Sequence, residues 1–472
     1  MSNLTKALLP TVMAVLGISV ADAALFTVDG LQYTTLSDST VSVKKYFEGT
    51  DVKIPAKVTN PDDDTEYAVV QVERQAFYQA DIKTLSVAGS VKHIDTYAFW
   101  KAKVETVTIE DGLETIGHAA FKACPKLASV KLPSTLKELG TVWDVTGVDG
   151  CVFAECGALK EIEVPGSVET LPQQTFMGCT SLATVKLNEG TDSIGERAFE
   201  LCTSLRSLEI PSSVVKLGRG IFNKSGLENP VVPGQIKIIP NSAYLWCQSM
   251  QSFKIEEGVE EVGKSSFADC RGFTRIDVPN SVEWIRSDAF QGNPFVKEIY
   301  IGSGIRRMGH ACFAVWAPDE ATNTPQWVLE EIHIASPIPP VHEQNDDHFE
   351  IVADDFFFGG KEFTDELRAK FYSEVKLYVP ESAIEEYKKA DIWKEFTNIL
   401  PEKEDQDGVD GITVDGGIRI ENGIVYADGK IEVYTLAGNL SASSEGSLNL
   451  DMLGKGMYIV RSGDKTMKTV VK

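Results

Sequence analysis

The chain has 472 residues, more than the roughly 250–300 at which a single hydrophobic core stops growing, so several domains or a linear repeat array are expected. Its 43% hydrophobic and 24% charged residues are typical of a globular protein and exclude a disordered or membrane-embedded chain. The formal net charge of −24 argues against nucleic acid or anionic lipid as a partner, because both are themselves negatively charged.

Residues 1–23 are predicted to be a secretory signal peptide. Lys6 supplies a positive charge, residues 7–20 are almost wholly apolar, and residues 21–23, Ala-Asp-Ala, fit a small-x-small cleavage site. The apolar stretch is too short to cross a bilayer core of about 30 Å, and no later stretch reaches the length of a membrane helix. We therefore expect an exported chain with no transmembrane span and no lipid anchor.

Residues 24–71 contain short β-rich runs, among them Val52–Pro55 and Tyr67–Val70. They come directly before a repeat array, and such an array needs a cap to shield the open end of its core. We predict that this region is an N-terminal β cap.

From Val72 onward, an aliphatic residue followed five positions later by an aromatic residue recurs every 22 or 23 residues. The one longer unit, Leu139 to Leu171, holds an insertion at about Val142–Gly150. Eleven units result, and their aromatic residues are Phe77, Phe99, Phe121, Phe153, Phe176, Phe199, Phe222, Tyr244, Phe267, Phe290 and Phe313. Self-similarity at a fixed period predicts a solenoid in which stacked coils share one continuous core.

A typical unit, Ile194–Lys216, reads Ile-Gly-x-x-Ala-Phe-x-x-Cys, then Leu-x-x-Leu-x-Ile, then Pro-x-Ser-Val. The Leu-x-x-Leu-x-Ile segment alternates apolar and polar residues, which predicts a half-buried strand. The Ala-Phe-x-x-Cys segment has apolar residues at spacings of three and four, which predicts a short helix or 3₁₀ turn. The predicted fold is an α/β leucine-rich-repeat solenoid at residues 72–334, dominated by a parallel β-sheet.

These units resemble those of the BspA-like leucine-rich-repeat surface proteins of bacteria, over Val72 to about Ile334. The pattern departs at Leu217–Gln235, where the Cys is missing, and at Pro318–Gln326, which interrupts the last coil. The resemblance implies display on the bacterial surface and adhesion to host matrix proteins. It is specific for the fold and much less so for a ligand.

After the repeats, residues 335–401 are predicted to form a C-terminal cap with a strand at Val375–Pro380, a helix at Ser382–Phe396 and a loop at Asp346–Lys361. Residues 402–411 are charged and contain Gly, which favours a linker. Residues 412–472 alternate short strands with turn residues, which predicts a small antiparallel β-sandwich.

This C-terminal region resembles the sorting domain of type IX secretion cargo. The residues that carry the resemblance are Val433-Tyr434-x-x-x-Gly438, Leu448-x-Leu450, Gly456 to Val460 and Lys468 to Lys472. The resemblance implies passage through the outer membrane and delivery to the cell surface. A module that is retained without that route is the alternative.

Eight cysteines in an exported chain invite a disulfide interpretation. Six of them, however, lie three residues after a unit aromatic: Cys124, Cys156, Cys179, Cys202, Cys247 and Cys270. Equivalent side chains point in parallel, so we predict a column of small buried residues rather than bridges. Cys151, in the insertion, is the best candidate for a disulfide, with Cys124 or Cys156 as its partner, and Cys312 is also out of register.

No residue pattern for catalysis, a cofactor or a metal was found, and the spacing of the cysteines does not fit zinc. Two acidic clusters, residues 405–410 and residues 346–355, could ligate calcium. Neither has the length or the closing Glu of a calcium loop, so we expect solvated acidic segments.

The outward-facing columns of the predicted strands are the candidate binding surface, because solenoids use a regular extended face for recognition. Charges of alternating sign on neighbouring strands stabilise a sheet by themselves, and this explains most of the column that contains Lys131, Glu163 and Lys186. The adjacent outward column contains Ser129, Glu161 and Thr184. The C-terminal end differs, because aromatic and charged groups mix there as in interface hot spots. The candidate binding face is Arg275, Glu298, Tyr300, Glu331 and His333.

The sequence therefore predicts a surface or secreted binding protein that recognises a host protein or glycan through its repeat face. A structural or assembly protein of the cell envelope with no external ligand is the alternative. An enzyme with an unrecognised site is a third possibility, and clustered acid and base residues in one pocket would favour it.

Overall fold

The computed structural model describes residues 23–141, 150–318, 324–342, 355–358, 363–402, 418–421, 424–435, 440–450, 453, 456–463 and 465–471. Nearly all of the predicted signal peptide, insertion and linker lies outside these residues, as does the acidic cluster at 405–410. The chain divides into two compact units, Met1–Leu377 with Glu385–Ile399, and Tyr378–Ile384 with Leu400–Lys472.

The N-terminal region is a small β structure that merges with the repeats. Its strands are β1 (Leu25–Val28), β2 (Leu31–Thr35), β3 (Thr40–Tyr46), β4 (Asp51–Ile54), β5 (Lys57–Thr59) and β6 (Glu66–Val72). β1, β2 and β3 pair in antiparallel fashion, whereas β3 pairs with β6 in parallel. Both β4 and β6 then pair in parallel with the first strands of the solenoid. The runs that the sequence marked as β-rich are therefore strands.

Each coil contributes one strand to a back sheet, and each except the coil that contains residues 205–210 contributes one to a front sheet. The front strands are β7 (Thr84–Val87), β9 (Thr106–Ile109), β11 (Ser129–Lys131), β13 (Glu161–Val164), β15 (Thr184–Leu187), β18 (Val231–Val232), β20 (Lys254–Ile255), β22 (Arg275–Val278), β24 (Glu298–Ile301) and β28 (Glu331–Ile334). The back strands are β8 (His93–Ile94), β10 (Thr115–Gly117), β12 (Glu138–Thr141), β14 (Thr170–Leu171), β16 (Ser193–Ile194), β17 (Lys216–Leu217), β19 (Ile238–Ile239), β21 (Glu261–Val262), β23 (Trp284–Ile285), β25 (Arg307–Met308) and β29 (Val341–His342). A hairpin of β26 (Ala317–Pro318) and β27 (Pro325–Gln326) interrupts the last coil. The pairing between successive coils is parallel, as the repeat predicts.

The unit aromatics form one continuous stack between the two sheets. Successive ring centroids, from Phe77 to Phe313, are 4.6 to 5.7 Å apart and the rings are nearly parallel. All eleven rings are buried. Each such pair contributes about 0.5–1.5 kcal/mol beyond the burial of its area, so the stack is a main source of cohesion between coils. The eleven predicted units are confirmed, including the long one with Phe153.

The Ala-Phe-x-x-Cys segments are tandem turns, so the predicted short helix is wrong. In one coil the Ala102 N–H donates to Phe99 three residues back, but the Phe99 N–H donates to the Ala120 carbonyl of the next coil. Tyr97 and Lys101, the third residues of two turns, have φ of 57° and 60°, as a type II turn requires. Every second N–H thus reaches a partner more than twenty residues away, which local periodicity cannot reveal.

The front sheet is broken at residues 205–210, where the sequence predicts a strand and the structure has none. In a neighbouring coil the Glu256 N–H donates a ladder bond to the Val232 carbonyl. Pro211 and Pro233 occupy the equivalent position in their own coils and have no N–H to donate. Pro165 and Pro279 hold the same position after β13 and β22, which do form, so the prolines alone do not explain the break.

The six equivalent cysteines form the predicted buried column. Each thiol donates a hydrogen bond to the carbonyl of the aromatic residue in the preceding coil, as from Cys179 to Phe153 at 3.1 Å and from Cys270 to Tyr244 at 3.2 Å. All eight cysteines are described, buried and free. The proposed disulfide of Cys151 is therefore wrong: its thiol lies 3.0 Å from the Gln174 side-chain oxygen and donates to it.

The region after the repeats holds one helix that the sequence analysis missed. Helix α1 (Asp365–Glu374) begins at Thr364, whose hydroxyl accepts from the Leu367 N–H, and it buries only Phe371 and Tyr372. The predicted strand at Val375–Pro380 is confirmed as β30 (Lys376–Val379), and β31 (Ile399–Pro401) follows later.

The predicted helix at residues 382–396 is largely wrong. Its segment holds a short helix, α2 (Ile384–Tyr387), and two 3₁₀ turns, Glu381–Ala383 and Trp393–Glu395. The turn at Trp393 begins after Ile392, whose φ of 68° cannot continue a right-handed helix.

Asp355 belongs to an acidic cluster that was expected to be solvated, and it is instead buried. It accepts hydrogen bonds from the Tyr372 hydroxyl at 2.6 Å and from the Phe357 N–H at 2.9 Å. Burial raises its pKa to about 6, in spite of those bonds and the nearby Arg368. A buried carboxyl is tolerated when its oxygens accept hydrogen bonds, as those of Asp355 do. One donor, Tyr372, is 17 residues away in sequence, so the sequence pattern did not reveal the contact.

The described C-terminal strands form one antiparallel sheet: β32 (Ile418–Glu421), β33 (Ile424–Thr435), β34 (Leu440–Asn449), β35 (Gly456–Ser462) and β36 (Lys465–Val471). Their buried core is Val425, Ile431, Val433, Leu448, Leu450 and Val460. The antiparallel topology is confirmed, whereas the second layer of a sandwich is not and stays a prediction. In the part of the chain that is described, none of the helices has the length and apolarity to cross a membrane.

Candidate functional site

The predicted binding face lies on three adjacent front strands, β22, β24 and β28. Their register places Arg275, Glu298 and Glu331 in one row. Tyr300 and His333 lie in the next row. The structure therefore brings all five predicted residues together.

Tyr300 is enclosed between a cation and an imidazole. The Arg275 guanidinium lies 3.7 Å from its ring centroid, and the His333 ring stacks on it at 4.2 Å and 5°. Arg275 also donates to both oxygens of Asp277 at 2.7 to 2.9 Å, which raises the pKa of the guanidinium. Cation–π and stacking contacts thus occupy the ring of Tyr300, which adds cohesion between the three strands.

The charges of this face also pair with one another. The Arg275 side chain lies 3.5 Å from Glu298, and His333 lies 3.5 Å from Glu331. The hydrogen bond from Lys376, at 2.9 Å, lowers the pKa of Glu331 and keeps it ionised. Arg275 and Glu298 remain 48% and 42% exposed, so the face presents a paired, partly accessible ladder.

A concave region lies elsewhere on the front sheet, a groove of about 1110 Å³ across β9, β11, β13 and β15. Its outward side chains are Thr106, Thr108, Ser129, Lys131, Glu161, Glu163, Thr184 and Lys186, with Asn188 at the end of the last strand. The groove contains no aromatic residue. Its chemistry is that of hydroxyls, amides and single charges.

Two of the charges in this groove form a closed pair. Lys186 donates to Glu163 at 2.7 Å, and the Asn188 amide donates to the same oxygen at 3.0 Å. These hydrogen bonds, the one from Lys186 first, lower the pKa of Glu163. This pair is the alternating-charge ladder that the sequence predicts.

Two further charges of the groove, Lys131 and Glu161, have no such partner. They lie on adjacent strands, and neither makes an ion pair or a side-chain hydrogen bond with any residue that the structure describes. At the rim, by contrast, Glu110 accepts from the Gly89 N–H at 3.0 Å and Asp111 accepts from the Ser134 N–H at 2.8 Å. Lys131 and Glu161 are therefore the charged groups of the groove that are available to a ligand.

Six of the groove residues, on β11, β13 and β15, were predicted to lie in outward columns, but none of them was part of the predicted binding face. The column through Lys131, Glu163 and Lys186 was interpreted as one ladder of alternating signs. The usable signal was the concentration of hydroxyl residues, with two on β9 and one each on β11 and β15. Over the described stretches, no cluster of three or more His, Cys, Asp or Glu is placed to hold a metal ion.

Comparison with known proteins identifies the repeat family. The model of the BspA type leucine rich repeat region matches residues 44–142, 146–243 and 215–323, which together are more than half of the chain. A search of curated proteins found no match.

Several solved structures are similar at low identity. A leucine-rich repeat protein from Bacteroides ovatus is 21% identical, with a TM-score of 0.43 over 65% of this chain and 94% of that one. A leucine rich cell surface protein from Faecalibacterium prausnitzii is 22% identical, with a TM-score of 0.40 over 60% and 90%. The pneumococcal vaccine antigen PcpA is 19% identical, with a TM-score of 0.41 over 81% and 99%.

Proposed function

Since this chain belongs to the BspA-type leucine-rich-repeat family, we propose that it is an exported bacterial surface protein whose front groove binds an extracellular host protein or glycan. The observation that carries the proposal is the pair of unpartnered charges, Lys131 and Glu161, in a groove of about 1110 Å³. Glu163 and Lys186, on adjacent strands of the same groove, do pair with each other. Charges that are left open in a concave, hydroxyl-lined site suit a polar ligand.

We propose binding rather than catalysis at this groove. A general acid or base works best when its pKa lies near the operating pH, and buried carboxyls reach that range through desolvation. The pKa of Glu163 is instead lowered by its bonds to Lys186 and Asn188. A carboxylate held ionised in this way is poorly suited to act as a general acid.

The face of Arg275, Glu298, Tyr300, Glu331 and His333 is proposed as a second contact region on the same side of the coils. Its support is the partial exposure of Arg275 and Glu298. Because its groups are already paired with one another, we expect it to contribute less to binding than the groove.

For export, we propose that the C-terminal antiparallel sheet acts as a type IX sorting-like domain. In support, the motif residues Val433 and Val460 are register partners and both lie in the core of the sheet. Deletion of residues 412–472 is expected to leave the protein in the periplasm of the bacterium that produces it. Surface proteolysis and fractionation would measure this, and normal surface display of the deletion would contradict it.

The binding proposal is tested with the full chain lacking only its predicted signal peptide. It is screened against a panel of extracellular-matrix proteins and a glycan array, together with Lys131→Glu and Tyr300→Ala/His333→Ala variants. Lys216→Glu is the matched control, because it makes the same charge change at an exposed lysine of the back sheet. We expect Lys131→Glu to weaken a hit at least about tenfold, or 1.4 kcal/mol, and Lys216→Glu to have no effect.

Three outcomes separate the alternatives. No binding by the intact chain to any member of either panel would support an envelope structural or assembly protein. Equal losses with Lys131→Glu and Lys216→Glu would indicate a general charge effect and contradict a site in the groove. A loss with Tyr300→Ala/His333→Ala alone would move the site to the C-terminal end of the front sheet.

A further inference from the structure

An exposed aromatic cluster lies on the tandem turns of the first two coils, away from both sheets. Tyr78 and Trp100 occupy equivalent positions on successive coils, and their ring centroids are 5.1 Å apart. The ring centroid of Tyr97 lies 5.2 Å from that of Trp100. Tyr78 is 41% exposed, whereas Tyr97 and Trp100 are half-buried, so the cluster presents one open ring and the edges of two others.

Two cations flank these rings. The Lys101 ammonium lies 4.6 Å from the Trp100 ring centroid, and the Arg74 guanidinium lies 5.6 Å from that of Tyr97. Both cationic side chains are exposed. On a chain with a formal net charge of −24, a surface that combines aromatic rings with two cations departs from the general charge of the molecule.

We propose that Tyr78, Tyr97 and Trp100, with Arg74 and Lys101, form a docking site for an acidic glycan that contains uronic-acid residues. The electron-rich ring faces attract the polarised C–H bonds of a pyranose, while the cations pair with its carboxylates. The same two cations disfavour a quaternary ammonium or another cationic ligand, which an aromatic cluster alone would attract.

The size of the cluster favours a glycan over a protein partner. A stable protein interface buries about 1,200–2,000 Å² in total and needs anchors over twenty or more residues a side. Here the aromatic residues stop at the third coil, where Ala119 stands in place of Tyr97 and Lys122 in place of Trp100. Five side chains on two coils are too few for a protein interface of this kind and suit a short stretch of a glycan chain.

Binding is measured by biolayer interferometry on the full chain without its predicted signal peptide. The probes are sodium hyaluronate and polygalacturonate, with dextran as a neutral polysaccharide and poly-glutamate as a polyanion without sugar rings. We expect both uronic-acid polymers to bind, more weakly as salt rises, and neither control probe to bind comparably.

Trp100→Ala and Arg74→Gln/Lys101→Gln are each expected to weaken this binding about tenfold, while Trp100→Phe retains most of it. Trp246→Ala is the matched control. Trp246 is likewise 41% exposed and has the Arg271 guanidinium 5.9 Å from its ring, but no second ring is stacked on it. We expect Trp246→Ala to bind like the wild type. Circular dichroism and thermal unfolding check that each variant is folded.

Equal binding of poly-glutamate would reduce the effect to charge alone and overturn the proposal. So would equal losses in Trp100→Ala and Trp246→Ala, or no binding of either uronic-acid polymer. The aromatic cluster shares no residue with the front groove, so Lys131→Glu is expected to leave hyaluronate binding unchanged. The two proposals can therefore fail separately.

Discussion

Replacing Tyr244 with Phe is expected to stabilise the protein. Tyr244 is the one tyrosine among the unit aromatics, and it stacks between Phe222 and Phe267 at centroid distances of 5.2 and 4.9 Å. Its side chain is fully buried, and its hydroxyl has no hydrogen-bond partner among the described residues. Desolvation also raises its pKa well above the usual value. The ring position is that of a phenylalanine, and the hydroxyl is an uncompensated polar group.

The expected gain follows from the cost of that hydroxyl. Burying a donor without a partner costs about 1–3 kcal/mol, and Tyr244→Phe removes the group while it keeps both ring contacts. We therefore expect the free energy of unfolding to rise by about 1–2 kcal/mol. Urea titration followed by circular dichroism would show a higher midpoint. Circular dichroism averages over the whole chain, so the local stability of the coils next to Tyr244 would be measured by native-state hydrogen exchange.

Tyr387→Phe is the matched control for this substitution. Tyr387 is equally buried, but its hydroxyl donates to the Ser336 carbonyl at 3.0 Å. Loss of the Tyr387 hydroxyl leaves the buried Ser336 carbonyl without this donor, so Tyr387→Phe is expected to destabilise the protein by about 1–2 kcal/mol. Opposite signs for the two variants would support the reasoning. A destabilised Tyr244→Phe would refute it and indicate a satisfied hydroxyl.

Three further predictions concern glycine, acid and thiol positions. Gly195→Ala is expected to destabilise the protein by roughly 2–3 kcal/mol, because the added Cβ would lie 2.4 Å from the backbone nitrogen of Gln173 in the preceding coil. In the control Gly178→Ala, with φ of 74°, the added Cβ would lie 3.7 Å from its nearest neighbour, the Cα of Glu155. Urea titrations should therefore show a loss of only about 1 kcal/mol for Gly178→Ala. Burial raises the pKa of Asp355 from 3.8 to about 6, so the unfolded chain loses this proton at lower pH than the native one. The free energy of unfolding should therefore fall by roughly 3 kcal/mol as pH rises from about 4 to above 6, and a pH series of urea titrations should show no such component in Asp355→Asn. The eight buried thiols should not react with Ellman's reagent in the native protein and should all react in guanidinium chloride, with Cys151 the first to respond under mild denaturation; a native disulfide would appear as fewer than eight reactive thiols after unfolding.

The sequence was sufficient for the features that every coil repeats. The period, the stack from Phe77 to Phe313 and the column of cysteines follow from residues that meet their own equivalents in the next coil. In such an array the identity of the neighbour is known once the period is known. The outward columns were also placed correctly, and the five residues of the predicted face do lie together.

Features that depend on contacts between different segments required the tertiary structure. The tandem turns send alternate N–H groups to the next coil, so their apolar spacing imitates a helix that does not form. Asp355 is buried because aromatic residues distant in sequence surround it. Likewise, Glu163 pairs with Lys186 whereas Lys131 and Glu161 stay open. Whether two charges on adjacent coils meet depends on distances of a few ångströms across coils about 23 residues apart, and a one-dimensional pattern does not contain those distances.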